Sequence, residues 1–308
     1  MAIVVKTTPF HQEHPVSIRH VADIHMKSNV LFAATATALL IFFSATAKCA
    51  ATTPKNTFIV FNALHYNNTP ELSLEGLHNV KLIYEDKLTS SPTYALGERL
   101  FSAPKIKAMA ASSRSTPATV VSLDLESWGA GPKAIDKYVK SVQLFKKESP
   151  ESKVGMYGFV PFANNLVYQS IDTHNPKLMA RWKDLQRQVR PVADNVDVFM
   201  PSLYTWGKDA NAWKKTAKIT IEQARSINPN KPIYVYIWPQ YYNNKEPYAL
   251  HFIDQKTWRD ELETLYQLAD GIVIWSSNKD SEGKLIQFSK NMPWYTETIN
   301  FMKSHDIH

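Results

Sequence analysis

The residues best placed to do chemistry are Asp124 and Glu126, in the stretch Asp124-Leu-Glu-Ser-Trp128. Val120, Val121 and Leu123 just before them suit a buried strand, and the acids interrupt it abruptly. Side chains alternate across a strand, so spacing by two puts both carboxyls on one side. Carboxylates emerging where a buried strand meets a loop are costly unless hydrated, paired or put to use. Used together, they form an acid and its partner, one carboxyl raising the pKa of the other so that it holds a proton for donation. The bland alternative is a structural pair satisfied by nearby donors.

An acid pair of this kind must be presented by a framework, and the chain from 57 to 308 supplies one. Short apolar runs alternate with amphipathic stretches, the pattern of parallel β/α units. The runs expected as strands are Thr57–His65, Val80–Tyr84, Thr119–Leu125, Lys153–Phe162, Val196–Tyr204, Pro232–Pro239 and Gly271–Trp275. Helices are expected around Ala95–Phe101 and Lys105–Ala111, over Ala134–Ser149, and through Leu178–Val189, Trp213–Ala224 and Trp258–Ala269, with Leu285–Ser304 largely helical. Near-continuous apolar strands imply cover on both faces. The expected fold is α/β: a single TIM-barrel-like (β/α) barrel, distorted, with seven strands.

In such a barrel the active site gathers at the carboxyl ends of the strands. Those ends carry Asn62 and His65, Glu85 and Asp86, the Asp124/Glu126 pair with Trp128, Tyr157, Phe159 and Asn164, Tyr204 and Trp206, Trp238, Tyr241 and Tyr242, then Trp275 and Asn278. Flat rings stack on sugar faces, while Tyr and Asn exchange hydrogen bonds with hydroxyl and acetamido groups. Core packing is the competing role for any one ring; clustering at strand ends favours a cleft. The expected binding set is Asn62, Trp128, Tyr157, Tyr204, Trp238, Tyr241 and Trp275.

Other chemistries find little support. No His pair has the H-x-x-x-H or H-E-x-x-H spacing, no G-x-S-x-G elbow occurs, and no glycine-rich phosphate loop follows a strand. Neither metal nor cofactor is expected. A net charge of +7 without a dense Lys/Arg cluster gives no nucleic-acid footprint. Glycosidases ordinarily flank the scissile bond with two carboxyls. Glu85 and Asp86 could supply the second, in a conventional two-carboxylate mechanism. Otherwise the acids share one side of the sugar, and the substrate's own N-acetyl oxygen must act as the nucleophile. Glu126 is then the proton donor and Asp124 the partner that binds the acetamido N–H. A barrel that only binds polysaccharide is the non-enzymatic alternative.

Five segments, in order between about residues 57 and 278, carry a resemblance. Asp124-Leu-Glu-Ser-Trp128 resembles the D-W-E-x-W motif of the hyaluronidase family, with Leu125 for its tryptophan. Phe61-Asn62-Ala63 is similar to W-N-x-P, Tyr157-Gly158-Phe159 to Y-G-F, Pro201-Ser-Leu-Tyr204 to P-S-x-Y, and Gly271-Ile-Val-Ile-Trp275 to G-I-V-L-W. The resemblance implies a distorted β/α barrel and substrate-assisted hydrolysis of N-acetylhexosamine linkages. It implies Glu126 as acid, Asp124 as its positioning partner, and Tyr204 and Trp275 as cleft wall. The family's disulfides have no counterpart, because Cys49 is the chain's one cysteine, and Phe162-Ala-Asn-Asn165 stands where the family has C-Y-N.

The start of the chain reads differently. Met26-Lys27, the apolar run Val30–Phe43 and the small residues Ala45-Thr-Ala47 resemble a secretory signal over 26–47. Residues 1–25 are polar and aperiodic, an extension outside the fold. Export is therefore expected, to a secreted or periplasmic location, with membrane contact only through an uncleaved signal. The expected partner is a polysaccharide containing N-acetylhexosamine.

Overall fold

The computed structural model describes residues 58–90, 99–116, 118–242 and 246–308. The chain divides into Met1–Ala51 and Thr52–His308. The signal and extension read from the sequence lie outside the described residues, as do Cys49 and residues 95–98 of the expected helix.

Six parallel strands make the main sheet: β1 (Ile59–Ala63), β2 (His78–Tyr84), β5 (Val120–Asp124), β6 (Lys153–Met156), β7 (Tyr234–Ile237) and β8 (Gly271–Trp275). Their spatial order is β6-β5-β2-β1-β8-β7, so the first strand lies between the second and the last. Two short strands, β3 (Thr89–Ser90) and β4 (Leu100–Phe101), pair antiparallel to one side. Leu100 and Phe101, expected within a helix, are therefore extended.

The helices are α1 (Glu85–Leu88), α2 (Ala103–Ser113), α3 (Pro132–Glu148), α4 (Asn165–Asp172), α5 (Pro176–Gln188), α6 (Arg190–Asn195), α7 (Ala210–Ile227), α8 (Gln255–Leu268) and α9 (Pro293–Ser304). Local chemistry sets their starts. Asp209 accepts from the backbone N–H of Asn211 and Ala212 to cap α7, and Asp254 accepts from Thr257 N to cap α8. Proline occupies the first turn of α2, α3, α5, α6 and α9, where its missing N–H costs nothing.

Alternation along the strands sorts the core into two clusters. Val60, Ile83, Val121, Leu123, Val154, Met156, Val235, Ile237, Ile272 and Ile274 pack with the helices. Phe61, Val120, Tyr234, Tyr236, Trp238 and Val273 pack on the opposite, inner face. These parallel strands with helical cover make a TIM-barrel-like α/β architecture. Gly155 of β6 leaves room on that inner face for two neighbours: a Cβ there would lie 2.5 Å from Met200 Sδ and 2.7 Å from Val198 Cγ2.

Three expected elements differ. Val196–Tyr204 forms no continuous strand, only isolated bridges to neighbours on both sides: Tyr157 with Met200, Phe199 with Ile233, and Ser202 with Tyr236. Pro201 has no N–H to give to a ladder, although its carbonyl accepts from Tyr236 N at 2.9 Å. Regular strand in the fourth run stops at Met156, and α4 follows without having been expected. Residues 285–292 are not helical. Leu285 bridges Lys279 and Gln287 bridges Asn67, so this backbone is occupied by loops and the helix begins only at Pro293.

Candidate active site

The side chains that close the strands on the inner face stand at the carboxyl ends. Asp124 is opposite Tyr84 across the β2–β5 pair, and Trp275 is opposite Ala63 across β1–β8. Tyr157 follows β6, Tyr204 follows the bridged segment, and Trp238 follows β7. Among the described residues, Asp124 is the single carboxylate in this set of seven. Asp124 is half-buried; Glu126, two residues on and past the end of β5, is exposed.

The rest is aromatic, and its rings are in contact. Tyr204 stacks on Trp275 with centroids 5.7 Å apart and meets Trp238 edge-on at 5.5 Å. Trp238 meets Trp275 at 4.9 Å, and Tyr157 meets Tyr204 at 6.1 Å. Trp206 stacks on Tyr242 at 3.9 Å, and Tyr242 lies 6.3 Å from Tyr204. Tyr204 and Trp238 are buried and form the backing; Tyr157, Trp206, Tyr242 and Trp275 keep part of their surface in solvent. Partly exposed rings over buried ones make a stiff apolar platform with polar edges.

Tyr84 joins the platform to the acid side. Its hydroxyl accepts from Trp275 Nε1–H at 3.1 Å and lies 2.6 Å from His65 Nε2. Partial burial lowers the His65 pKa, which favours the neutral ring, with Nε2 accepting the Tyr84 proton. Below this layer, burial raises the pKa of the Tyr236 hydroxyl; the Ser122 hydroxyl offsets part of that, and the charges of Asp124 and Tyr84 add to it. Tyr138, packed between Trp128 and Phe159, is raised first by burial and then by the charges of Glu85 and Glu126. Both phenols therefore stay protonated through the neutral range.

Glu85 belongs to a clamp. Its Oε1 accepts from the Ser127 amide at 3.1 Å and from the Ser127 hydroxyl at 2.6 Å, while Oε2 lies 3.5 Å from Arg99 Nε. The Arg99 carbonyl in turn accepts from Trp128 Nε1–H at 2.5 Å. The residue after Glu126 is thus held through both its backbone and its side chain. Asp86 is half-exposed beside Lys87.

The structure brings together Asp124, Tyr157, Tyr204, Trp238 and Trp275 from the set named on sequence. Three others lie elsewhere. Trp128 is buried against Tyr138 in the helix-side cluster. Tyr241 lies in the same cluster, edge-on to Tyr248 at 4.9 Å. Asn62 alternates to the side of Val60, and its Oδ1 accepts from Leu64 N at 3.1 Å to shape the turn after β1. Trp206, Tyr242 and Tyr84 are the rings left out of the expected binding set. Trp206 and Tyr242 were visible at strand ends, and Tyr84 ends its strand on the same side as Val80.

A TIM-barrel-like parallel sheet with aromatic rings and an acid at the strand ends is an arrangement that glycoside hydrolases use. No family model matches the chain, and no curated protein matches it in sequence. Among solved structures, bee venom hyaluronidase is similar in fold with a TM-score of 0.54 and 14% identity, over 80% of this chain and 97% of that one. The same enzyme in complex with a hyaluronic acid tetramer gives a TM-score of 0.51 and 13% identity, over 81% and 96%. The relationship is a remote one, carried by the fold.

Proposed function

We propose that the chain is an exported, endo-acting glycoside hydrolase that cleaves polysaccharide next to an N-acetylhexosamine, with net retention. The observation that carries this reading is the strand-end set itself: one carboxylate, Asp124, with Glu126 two residues on, facing aromatic rings from the other strands. Among the described residues, such a set leaves the far side of a bound sugar without an opposing carboxylate. The acetamido oxygen of the substrate then attacks the anomeric carbon while Glu126 protonates the departing glycosidic oxygen. Asp124 accepts from the acetamido N–H and stabilises the positive charge of the oxazolinium. Water opens that ring with Glu126 as base, restoring the acid and the original anomeric configuration. The clamp on Ser127 favours a positioning part for Glu85 over a nucleophilic one. We read the bridged segment around Met200 as the seventh stave of the barrel, and the Tyr204–Trp275 stack as the wall of the sugar cleft. The hyaluronic acid tetramer seen with bee venom hyaluronidase makes hyaluronan the first candidate substrate.

Reducing-end assays on hyaluronan, chondroitin, chitin and peptidoglycan strands test the reading directly. Cleavage of at least one, with early appearance of large products, is expected; inertness on all four would reject it. A thiazoline mimic of the oxazolinium should inhibit competitively, whereas a two-carboxylate enzyme would ignore it. Export is tested by recovering the processed protein outside the cytoplasm.

A further inference from the structure

On α8, one carboxyl is buried without a paired cation among the described residues. Glu261 is 3% exposed. Its Oε1 accepts from the Thr205 hydroxyl at 2.7 Å, and Oε2 has no hydrogen-bond partner among the described residues. Thr205 is itself buried and stands between two wall residues, Tyr204 and Trp206. Its carbonyl accepts from Tyr242 N at 2.8 Å. One threonine therefore ties together the backbone carrying three of the aromatic rings, and Glu261 holds its side chain.

We propose that Glu261 is a positioning residue for the aromatic wall, acting through Thr205 and competent only while its carboxyl carries a proton. The proposal rests on the wall being the sugar cleft, as argued above. As a neutral acid Glu261 is an ordinary hydrogen-bonding group. As an anion it would be a buried charge without a counter-ion, which costs several kcal/mol (roughly) before relaxation or water entry. The groups facing it give little relief. On α8, Asp254 and Asp260 repel the anion, and Asp260 already holds Lys256 at 3.0 Å and Lys214 of α7 at 3.5 Å. Lys208 lines the same small cavity of about 10 Å³ without pairing with Glu261 among the described residues. Tyr241 faces it from the loop after β7. Burial, only partly offset by Thr205, pushes the carboxyl up to about 8. The wall is thus expected to hold its geometry below that pH and to loosen above it.

Two measurements on the full chain test this. Near-UV circular dichroism of the wild type should show an aromatic transition with a midpoint near pH 8, absent in Glu261→Gln, whose amide oxygen still accepts from Thr205. With a glycan that the enzyme cleaves, the wild-type KM should rise between pH 6 and pH 9 by about 2- to 12-fold, the worth of a lost aromatic stacking contact, with kcat changing far less. The KM of Glu261→Gln should stay flat. Thr205→Val, which removes the same bond from the other side, should raise KM already at pH 6. A wild type without the transition, or a Glu261→Gln variant that keeps it, overturns the proposal. Should the wild type cleave no glycan, the proposed function falls, while the dichroism still decides the part played by Glu261.

Discussion

Two glutamates stand behind the two sides of the candidate site, and they are supported in opposite ways. Glu85 backs the acid side with its charge satisfied: two donors from Ser127 and the Arg99 guanidinium surround it. Glu261 backs the aromatic side with one neutral donor and, among the described residues, no cation. A support held by charge-assisted bonds is weakened when its charge is removed, whereas a neutral, buried one is weakened when a charge is added. The platform side is thereby exposed to rising pH.

Four substitutions can break or sharpen that contrast. The largest effect is expected at the acid itself: Glu126→Gln should lower kcat by roughly 10²- to 10⁴-fold, the usual worth of a positioned general acid, with unfolding unchanged. Glu85→Gln comes next. It keeps the shape but loses the charge-assisted bonds, so it should cost about 1.5–3 kcal/mol in denaturant unfolding and lower kcat more than it raises KM. A smaller effect is expected on the platform, where Trp206→Ala removes the ring stacked on Tyr242 and should raise KM by the equivalent of about 0.5–1.5 kcal/mol.

Glu261→Gln should be the mildest at pH 5, within about 0.5 kcal/mol of wild type. Its signature lies in the slope. The folded-state pKa is raised, so the native protein binds more protons than the unfolded chain between the ordinary carboxyl value and about 8. Wild-type stability must fall as pH climbs through that window, because stability rises with pH only where the unfolded state binds more protons. Thermal unfolding at pH 5 and 8 should show that loss, reduced in the variant. An equal pH slope in both proteins would erase the distinction between the two supports.

The parts of the molecule legible in the sequence are those where periodicity is uninterrupted. Gly271–Trp275 is a strand with the bounds its apolar run suggests, and the helix expected over Ala134–Ser149 runs from Pro132 to Glu148. Placement fails just past the strand ends. Alternation there no longer fixes direction, so Trp128 and Tyr241 turn toward the helices while Tyr242, one residue from Tyr241, joins the platform. Asn62 is a different case. Its strand parity points away from Phe61, and the parity was readable. The irregular Val196–Tyr204 segment hid for another reason: its side chains alternate as in a strand, Val198, Met200 and Tyr204 inward, while Pro201 breaks the backbone ladder. Pattern reports where side chains go more faithfully than which amides pair.

Gly155 gives that segment a history as well as a place. A methyl at 155 would collide with the side chains of Met200 and Val198, so a larger residue there requires those side chains to move aside or shrink. The three positions share one small volume in front of the segment that leads to Tyr204. In a family of such chains, volume at 155 should vary inversely with volume at 198 and 200, whatever happens at 124 and 126.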